Sequence, residues 1–208
     1  MKKLIIVTPI YEDIKSAEKL FRNLKSQFDD EIFIVAIDDG SVKKPLDIDI
    51  LNNQGIEGVI LSLVKNVGHQ HAIAIGLQYV EDKIDWAERI VVMDSDGEDN
   101  PATIPALLNA LENKSIDVSV GKRKNRSEGI KFKIFYKIYK ASFRILTGRS
   151  IGFGNFIAIK INALRRLIKM PEISTHLAGC VLSSKLRISE HEDTCTKAES
   201  IIHTHAHT

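Results

Sequence analysis

The sequence predicts an α/β fold with a mostly parallel sheet that helices cover on both faces. Three observations lead to this prediction: short apolar, β-branched runs recur along the chain, segments with helical apolar spacing lie between them, and polar clusters follow them. Strands that alternate with helices in this way are typical of parallel sheets buried on both faces. Because ligands of such sheets bind beyond the carboxyl ends of the strands, we expect the functional site at that edge.

The elements follow one another at regular intervals. Five strands are expected in the first 121 residues: Leu4–Thr8, Ile32–Ile37, Gly58–Leu63, Ile90–Met93 and Ile116–Val120. Helices are expected after the first, third and fourth of these, because apolar residues there recur at helical spacing. A further strand, Ile157–Lys160, and a helix around His176–Leu186 are expected in the second half.

The acidic stretch after the fourth strand is the strongest chemical signal in the chain. Arg89–Pro101 reads RIVVMDSDGEDNP, so an apolar run ends in closely spaced acids, and Asn100 and Pro101 then favour the start of a helix. Carboxylates crowded at the end of a buried strand repel one another, and a divalent cation relieves that repulsion. Hard oxygen ligands suit Mg²⁺ or Mn²⁺, usually shared with a phosphate. The alternative is an acidic surface turn without a ligand.

The three preceding strands also end in unusual residues. PIYED follows the first strand, DDGS the second, and NVGHQH begins just after the third. Each loop has a plain structural alternative, since Pro9 and Tyr11 can shape a turn and Asp38–Ser41 can form an Asx turn. His69 and His71 lack a third ligand, so we expect them to line or cap their loop and not to bind zinc. Four such loops at one sheet edge favour a shared binding site.

As an ordered set, these four motifs resemble family 2 glycosyltransferases, and most closely the branch that transfers sugars to dolichyl or undecaprenyl phosphate. The resemblance covers residues 1 to about 187. It implies the GT-A fold, a Rossmann-like nucleotide-binding domain with a D-x-D motif. It also implies Mg²⁺ or Mn²⁺ as cofactor, a nucleoside-diphosphate sugar as donor, and a place in cell-wall or glycan biosynthesis.

The resemblance assigns roles to individual residues. The residues that it places at the nucleotide are Pro9, Tyr11, Asp13, Asp38, Asp39 and Ser95. In the catalytic set, Asp94 faces the ribose or donor sugar, Asp96 holds the metal, and Arg123 meets the diphosphate. Glu98 is the second expected metal ligand, although the family branch usually has Gln there. Glu12-Asp13 also departs from the family, which commonly has Asn-Glu at this point.

The predicted function is metal-dependent transfer of a hexose from a nucleoside-diphosphate sugar to an acceptor. A polyprenyl-phosphate acceptor is already anionic and needs no general base, whereas a hydroxyl acceptor needs one. Asp193 lies roughly where many family members keep such a base. One alternative is a non-catalytic or truncated nucleotide-sugar-binding protein. The other is a phosphatase of the haloacid-dehalogenase type, whose D-x-D-G motif Val91–Gly97 also resembles, although that motif normally follows a first strand.

Basic residues are concentrated in the second half, although the net charge is only +2. Residues 122–169 contain a single acid, Glu128, which indicates an anionic partner for this part of the chain. Gly129–Leu146 combines an aromatic stripe with flanking lysines, and such a helix either lies on an anionic membrane or packs its stripe against the sheet. No nucleic-acid-binding motif accompanies the charge, so we do not expect a nucleic-acid partner.

Cysteine content and hydropathy indicate a cytoplasmic location. Cys180 and Cys195 lack metal-ligand spacing, which fits two ordinary thiols in a reducing compartment. Pro9 and Glu12 cut the first apolar run too short for a signal peptide, and no stretch approaches the roughly 20 apolar residues of a membrane span. We expect peripheral attachment to the inner face of the membrane if the basic helix binds lipid.

The expected domain boundaries follow from composition and from the resemblance. Residues 1–188 are expected to form the GT-A domain, with a nucleotide-sugar half over 1–121 and an acceptor-side half over 122–188. Residues 189–208 are rich in His, Thr and Glu, and we expect a disordered tail.

Overall fold

The computed structural model describes residues 4–123 and 153–193. Its strands are β1 (Leu4–Ile10), β2 (Ile32–Asp38), β3 (Glu57–Ser62), β4 (Arg89–Val92), β5 (Val118–Arg123), β6 (Ile157–Lys160) and β7 (Ile188–Asp193). They form one sheet in the order β3-β2-β1-β4-β6-β5-β7. All pairings are parallel except those of β6 with β4 and with β5. The predicted mostly parallel α/β sheet is confirmed.

Helices cover both faces of this sheet. They are α1 (Ile14–Phe28), α2 (Asp49–Asn52), α3 (His69–Lys83), α4 (Ile104–Glu112), α5 (Ile161–Leu167) and α6 (Leu177–Ser183). The side chains of β1 alternate between the faces: Ile5 and Val7 pack with α3, α5 and α6, whereas Leu4 and Ile6 pack with α1 and α4. Every residue of β1 is buried, which is the physical reason that its sequence is apolar except for Thr8.

The antiparallel strand β6 changes which loops meet at the site. Because β6 runs against both of its neighbours, β5 is parallel to β4, and β7 follows β5. The carboxyl ends of all the parallel strands therefore share one edge of the sheet, and the amino end of β6 lies at that edge too. The segment 153–156, which leads into β6, therefore lies at the same edge as the loops that follow β3 and β4.

The last described strand changes the expected boundary of the domain. The tail was predicted to begin at residue 189, but β7 extends from Ile188 to Asp193 and pairs in parallel with β5. A polar sequence can form this strand because, among the described residues, β7 lies at the edge of the sheet and pairs only with β5. Residues 194–208 and the basic stretch Gly129–Leu146 lie outside the described residues. In the described part, no helix has the length and apolar character needed to cross a bilayer.

Candidate functional site

A cavity of about 170 Å³ opens where the loops after β1, β2 and β3 meet. Its lining residues are Pro9, Ile10, Tyr11, Asp39, Asn66, Gly68 and His69. Tyr11 is 53% exposed, which is unusual for a large aromatic side chain and leaves its ring available to a ligand. The cavity brings together three residues that the sequence predicted at the nucleotide: Pro9, Tyr11 and Asp39.

Asp39 holds one wall of this cavity in place. Its Oδ1 accepts the backbone N–H of Val67 at 2.7 Å, and its Oδ2 accepts that of Gly68 at 3.1 Å. The carboxyl group is buried, so these two bonds compensate its desolvation. Gly40 follows at φ +73°, and a Cβ on it would overlap the backbone of Lys65 and Asn66. This close approach explains the glycine of the DDGS motif.

Two neighbouring acids, Asp38 and Asp13, contact their own loops and are not among the residues that line the cavity. Asp38 accepts the backbone N–H groups of Ser41 and Leu46, at 3.0 Å and 2.8 Å. Asp13 caps α1 by accepting the N–H of Ser16. Asp38 and Asp13 therefore shape the loops around the predicted nucleotide site.

Glu12 has a similar structural role. Its carboxylate accepts the backbone N–H groups of Val42, Lys43 and Lys44, and these bonds lower its pKa. Glu12 ties the loop after β1 to the loop after β2. A glutamate at this position, where the family commonly has Asn, is thus accommodated by contacts within the chain itself.

The acidic loop after β4 is folded around Asp99. The Asp99 side chain is buried, and its Oδ2 accepts the backbone N–H of Asp94 at 2.8 Å. Further along, Asp96 Oδ1 accepts the N–H of Glu98 at 2.8 Å, and both of these residues are exposed. Ser95 Oγ lies 3.4 Å from the carbonyl oxygen of Pro9, which links the loop to the end of β1.

A second cavity, of about 250 Å³, lies between α1 and the acidic loop. Asp96 and Ser95 line it on one side, and Ser16, Lys19 and Asn23 line it on the other. Asp94 faces in a different direction, since it contacts His69, which lines the first cavity. The acidic loop therefore separates the two cavities.

His69 connects the acidic loop to the strand β6. Its Nε2 lies 3.0 Å from Oδ1 of Asp94 and 3.0 Å from the amide nitrogen of Asn155. The hydrogen bond to Asp94 raises the pKa of His69. The prediction that His69 lines its loop agrees with this position, and His71 is exposed.

The acidic loop contains the residues that could hold a divalent metal. Within 4–123 and 153–193, no group of three His, Cys, Asp or Glu side chains converges on one point. The exposed carboxylates of Asp96 and Glu98 nevertheless fit Mg²⁺ or Mn²⁺, because these ions commonly take one or two protein carboxylates and complete their shell with water and phosphate oxygens. A metal held in this way would need the ligand's phosphates as well as the protein.

The backbone places Arg123 and Asp193 side by side. Arg123 ends β5, Asp193 ends β7, and their Cα atoms are register partners. Because β5 is parallel to β4, both residues lie at the edge of the sheet from which the acidic loop emerges. The two residues are 70 positions apart, so only the parallel pairing of the strands brings them together.

Sequence reasoning did not identify the roles of Asp99, Gln70 and Asn155. Asp99 lies within the quoted acidic motif, and its position before the helix cap Asn100 was a usable signal for a structural acid. Gln70 and Asn155 are 85 residues apart, and no local pattern connects them.

Two solved glycosyltransferase structures share this arrangement of elements. Glucosyl-3-phosphoglycerate synthase from Mycobacterium tuberculosis, in complex with Mn²⁺, UDP-glucose and phosphoglyceric acid, superposes with a TM-score of 0.62 at 15% identity, over 92% of this chain and 70% of that one. A mannosyltransferase from Pyrobaculum calidifontis, in complex with GDP-mannose and Mn²⁺, superposes with a TM-score of 0.60 at 16% identity, over 92% of this chain and 55% of that one. These likenesses show that the fold is GT-A.

Sequence comparison gives the family. A curated relative, dodecaprenyl-phosphate galacturonate synthase of Rhizobium johnstonii, is 28% identical over 200 residues, which are 88% of this chain and 56% of the relative. The chain thus spans little more than half of that protein's length. The profile described as Glycosyl transferase family 2 matches residues 5–179, which include both cavities and the acidic loop between them. The chain belongs to glycosyl transferase family 2.

Proposed function

We propose that the chain transfers a sugar from a nucleoside-diphosphate sugar to an acceptor with the help of a divalent metal. One observation carries the proposal: the cavity at Tyr11 and Asp39 opens beside a loop that presents Asp94, Asp96 and Glu98. A nucleotide base in that cavity would bring its diphosphate toward the acidic loop. The nucleotide-sugar and Mn²⁺ complexes of two neighbours with the same fold support a donor of this class.

In this proposal, the first cavity holds the base. The exposed ring of Tyr11 stacks on it, and the Asp39 carboxylate accepts an N–H from its edge. A carboxylate has about four lone-pair positions, so two bonds to backbone N–H groups leave capacity for a further donor. The positions of Asp38 and Asp13 favour a supporting role for them, with Asp39 making the base contact.

The acidic loop acts at the reacting end of the donor. A bound Mg²⁺ or Mn²⁺ neutralises the charge that develops on the departing diphosphate. Asp96 and Glu98 hold that ion, and Asp94 accepts hydrogen bonds from a hydroxyl of the ribose or donor sugar. Arg123 adds positive charge toward the diphosphate from the end of β5, a position that its backbone allows.

We propose a polyprenyl phosphate as the acceptor. The support is the relative from Rhizobium johnstonii, a dodecaprenyl-phosphate galacturonate synthase. A phosphate oxygen attacks without a general base, so this reaction does not require Asp193. A hydroxyl acceptor would require one, and Asp193 is then the first residue to test. Use of a lipid acceptor also supports peripheral membrane association, as the basic residues of 122–169 suggest.

Calorimetry followed by a turnover assay tests the proposal. UDP-glucose, UDP-galacturonic acid and GDP-mannose are titrated into the protein with and without Mn²⁺, and nucleotide release is then measured with short-chain polyprenyl phosphate in detergent. We expect metal-dependent binding of one donor and acceptor-dependent release of its nucleotide. Binding without release supports the non-catalytic alternative. Absence of binding to every donor contradicts both the transferase proposal and the non-catalytic alternative. Phosphate release from p-nitrophenyl phosphate supports the phosphatase alternative.

A further inference from the structure

A chain of polar contacts leads from the start of α6 to Asp94. The backbone N–H of Leu177 donates to Oε1 of Gln70 at 2.9 Å, and Nε2 of Gln70 donates to Oδ1 of Asn155 at 3.0 Å. The amide nitrogen of Asn155 then lies 3.0 Å from Nε2 of His69, which in turn lies 3.0 Å from Asp94. The four links join segments that are far apart in the sequence.

The direction of these hydrogen bonds is fixed from one end. A backbone N–H can only donate, so the contact with Leu177 requires Gln70 to present its carbonyl oxygen there. The amide nitrogen of Gln70 must then face Asn155, and the side-chain carbonyl oxygen of Asn155 accepts the hydrogen bond. This order leaves the amide nitrogen of Asn155 facing His69.

The ring of His69 is held in either protonation state. When Nε2 carries no proton, it accepts the N–H of Asn155, and when Nε2 is protonated, it donates to Asp94. The side chain of His69 is 45% exposed, so packing alone does not fix its orientation. The hydrogen bond from Asn155, whose amide Gln70 orients, supplies this constraint while Nε2 carries no proton.

We infer that Gln70 and Asn155 are positioning residues, which hold the neutral ring of His69 with its Nε2 beside Asp94, so that this nitrogen donates to the carboxylate once it is protonated. The inference deepens the proposed function and rests on it for the role of Asp94. It assigns a task to the loop before β6: this loop reaches the carboxyl edge of the sheet because β6 is antiparallel, and its Asn155 supports the acidic loop from the opposite half of the domain.

Variants of Gln70 and Asn155 test the inference in the turnover assay. Because a small misplacement of a reacting group slows chemistry strongly, we expect Gln70→Ala and Asn155→Ala each to lower kcat for nucleotide release, by up to about 100-fold. The KM for the donor should change by less than about threefold, since neither variant removes a contact of Tyr11 or Asp39, which hold the base in this proposal. The double variant should be no slower than the worse single variant, because both residues act through one contact.

Gln70→Glu separates positioning from mere structural support. Glutamate still accepts the N–H of Leu177 but cannot donate to Asn155. We expect this variant to retain the thermal stability of the parent and to lose kcat as Gln70→Ala does. Gln78→Ala is the matched control, because Gln78 lies on the same helix and its Nε2 donates to Asp82 on the surface. Full activity in Gln70→Glu, or equal losses in Gln78→Ala, overturns the inference.

A measurement without turnover keeps the inference testable if the proposed function fails. The ¹⁵N resonances of the histidine rings are recorded, and His69→Gln identifies those of His69 by their loss. We expect the Nε2 resonance of His69 to move in Gln70→Ala and in Asn155→Ala and to stay in place in Gln78→Ala. If all three variants leave it unchanged, the contacts do not hold the ring and the inference is wrong, whatever the parent protein catalyses.

Discussion

Oδ2 of Asp99 accepts the backbone N–H of Asp94 at 2.8 Å, so a buried acid of the D-S-D-G-E-D loop sets the backbone that carries the other acids. This bond closes the loop over five residues. It divides the acidic motif into a structural acid, Asp99, and the exposed acids Asp96 and Glu98.

Removing this acceptor should destabilise the loop and the protein. In Asp99→Ala, the backbone N–H of Asp94 loses its partner, which we expect to lower the free energy of unfolding by about 1–3 kcal/mol. Asp99→Asn keeps a carbonyl oxygen for the same bond and should lose less. Urea unfolding measures both variants, and Glu98→Ala, at an exposed neighbour, is the control. Equal stability of Asp99→Ala and the parent would contradict this role.

Metal-dependent donor binding should depend on Asp96. We expect Asp96→Asn to abolish the increase in donor affinity that Mn²⁺ causes, because an amide oxygen is a much weaker ligand for a hard cation than a carboxylate is. The thermal midpoint should stay close to that of the parent, since Asp96 is exposed. Calorimetry with and without Mn²⁺ makes the comparison, with Asp85→Asn as the control at an exposed aspartate elsewhere. Unchanged metal dependence in Asp96→Asn would assign the ion to other residues.

Nucleotide affinity should depend on the ring of Tyr11. Stacking of a base on an aromatic side chain contributes about 1–3 kcal/mol, so Tyr11→Ala should weaken binding of free UDP or GDP by roughly 5- to 150-fold. Tyr11→Phe keeps the ring and should bind nearly as the parent does. Neither change should lower the thermal midpoint much, because Tyr11 is 53% exposed. Parent-like UDP and GDP affinity in Tyr11→Ala would place the base outside this cavity.

Gly40 should be far less tolerant of a side chain than Gly55. Both have positive φ, +73° and +62°, so alanine is strained at either position. A Cβ at Gly40 would also overlap the backbone of Lys65 and Asn66, whereas at Gly55 the nearest atoms belong to the flexible side chain of Lys25, at 3.9 Å and beyond. We therefore expect Gly40→Ala to lose about 1–3 kcal/mol more stability than Gly55→Ala. It should also weaken UDP binding, and calorimetry and urea unfolding check the two effects.

The ion pair of Asp117 with Arg187 should make stability depend on pH in the acid range. Hydrogen bonds from Arg187 lower the pKa of Asp117 from 3.8 to about 2. The folded state therefore binds this proton more weakly than the unfolded state, and the stabilisation is complete above pH 3.8 and lost as the pH falls through about 2. Between these values, the thermal midpoint of the parent should fall more steeply than that of Asp117→Asn.

A second ion pair gives the control for this pH dependence. Arg89 and Glu112 are joined by a single contact of 2.9 Å, and their side chains are 40% and 69% exposed. Exposed pairs of this kind contribute little, so Glu112→Gln should follow the parent curve. If Asp117→Asn also followed it, the pair with Arg187 would not be the cause of the acid sensitivity.

For residues 1–121, the sequence determined the type and order of the elements and the edge of the sheet that carries the site, but it did not reveal β7. These features depend on local properties, because the spacing of apolar residues decides between helix and strand, and a parallel sheet places its loops at the carboxyl edge. The acidic loop was identified in this way, and the resemblance to family 2 glycosyltransferases added Pro9, Tyr11 and Asp39.

Tertiary structure alone decided which acids point at the cavity and which residues support them. Asp38 and Asp39 are adjacent at the end of β2, where successive side chains point in opposite directions, so one supports its own loop and the other the loop after β3. Gln70 and Asn155 meet only because β6 enters the sheet antiparallel between β4 and β5. Because strand order and direction are set by long-range packing, the local sequence does not indicate which distant residue completes a hydrogen bond.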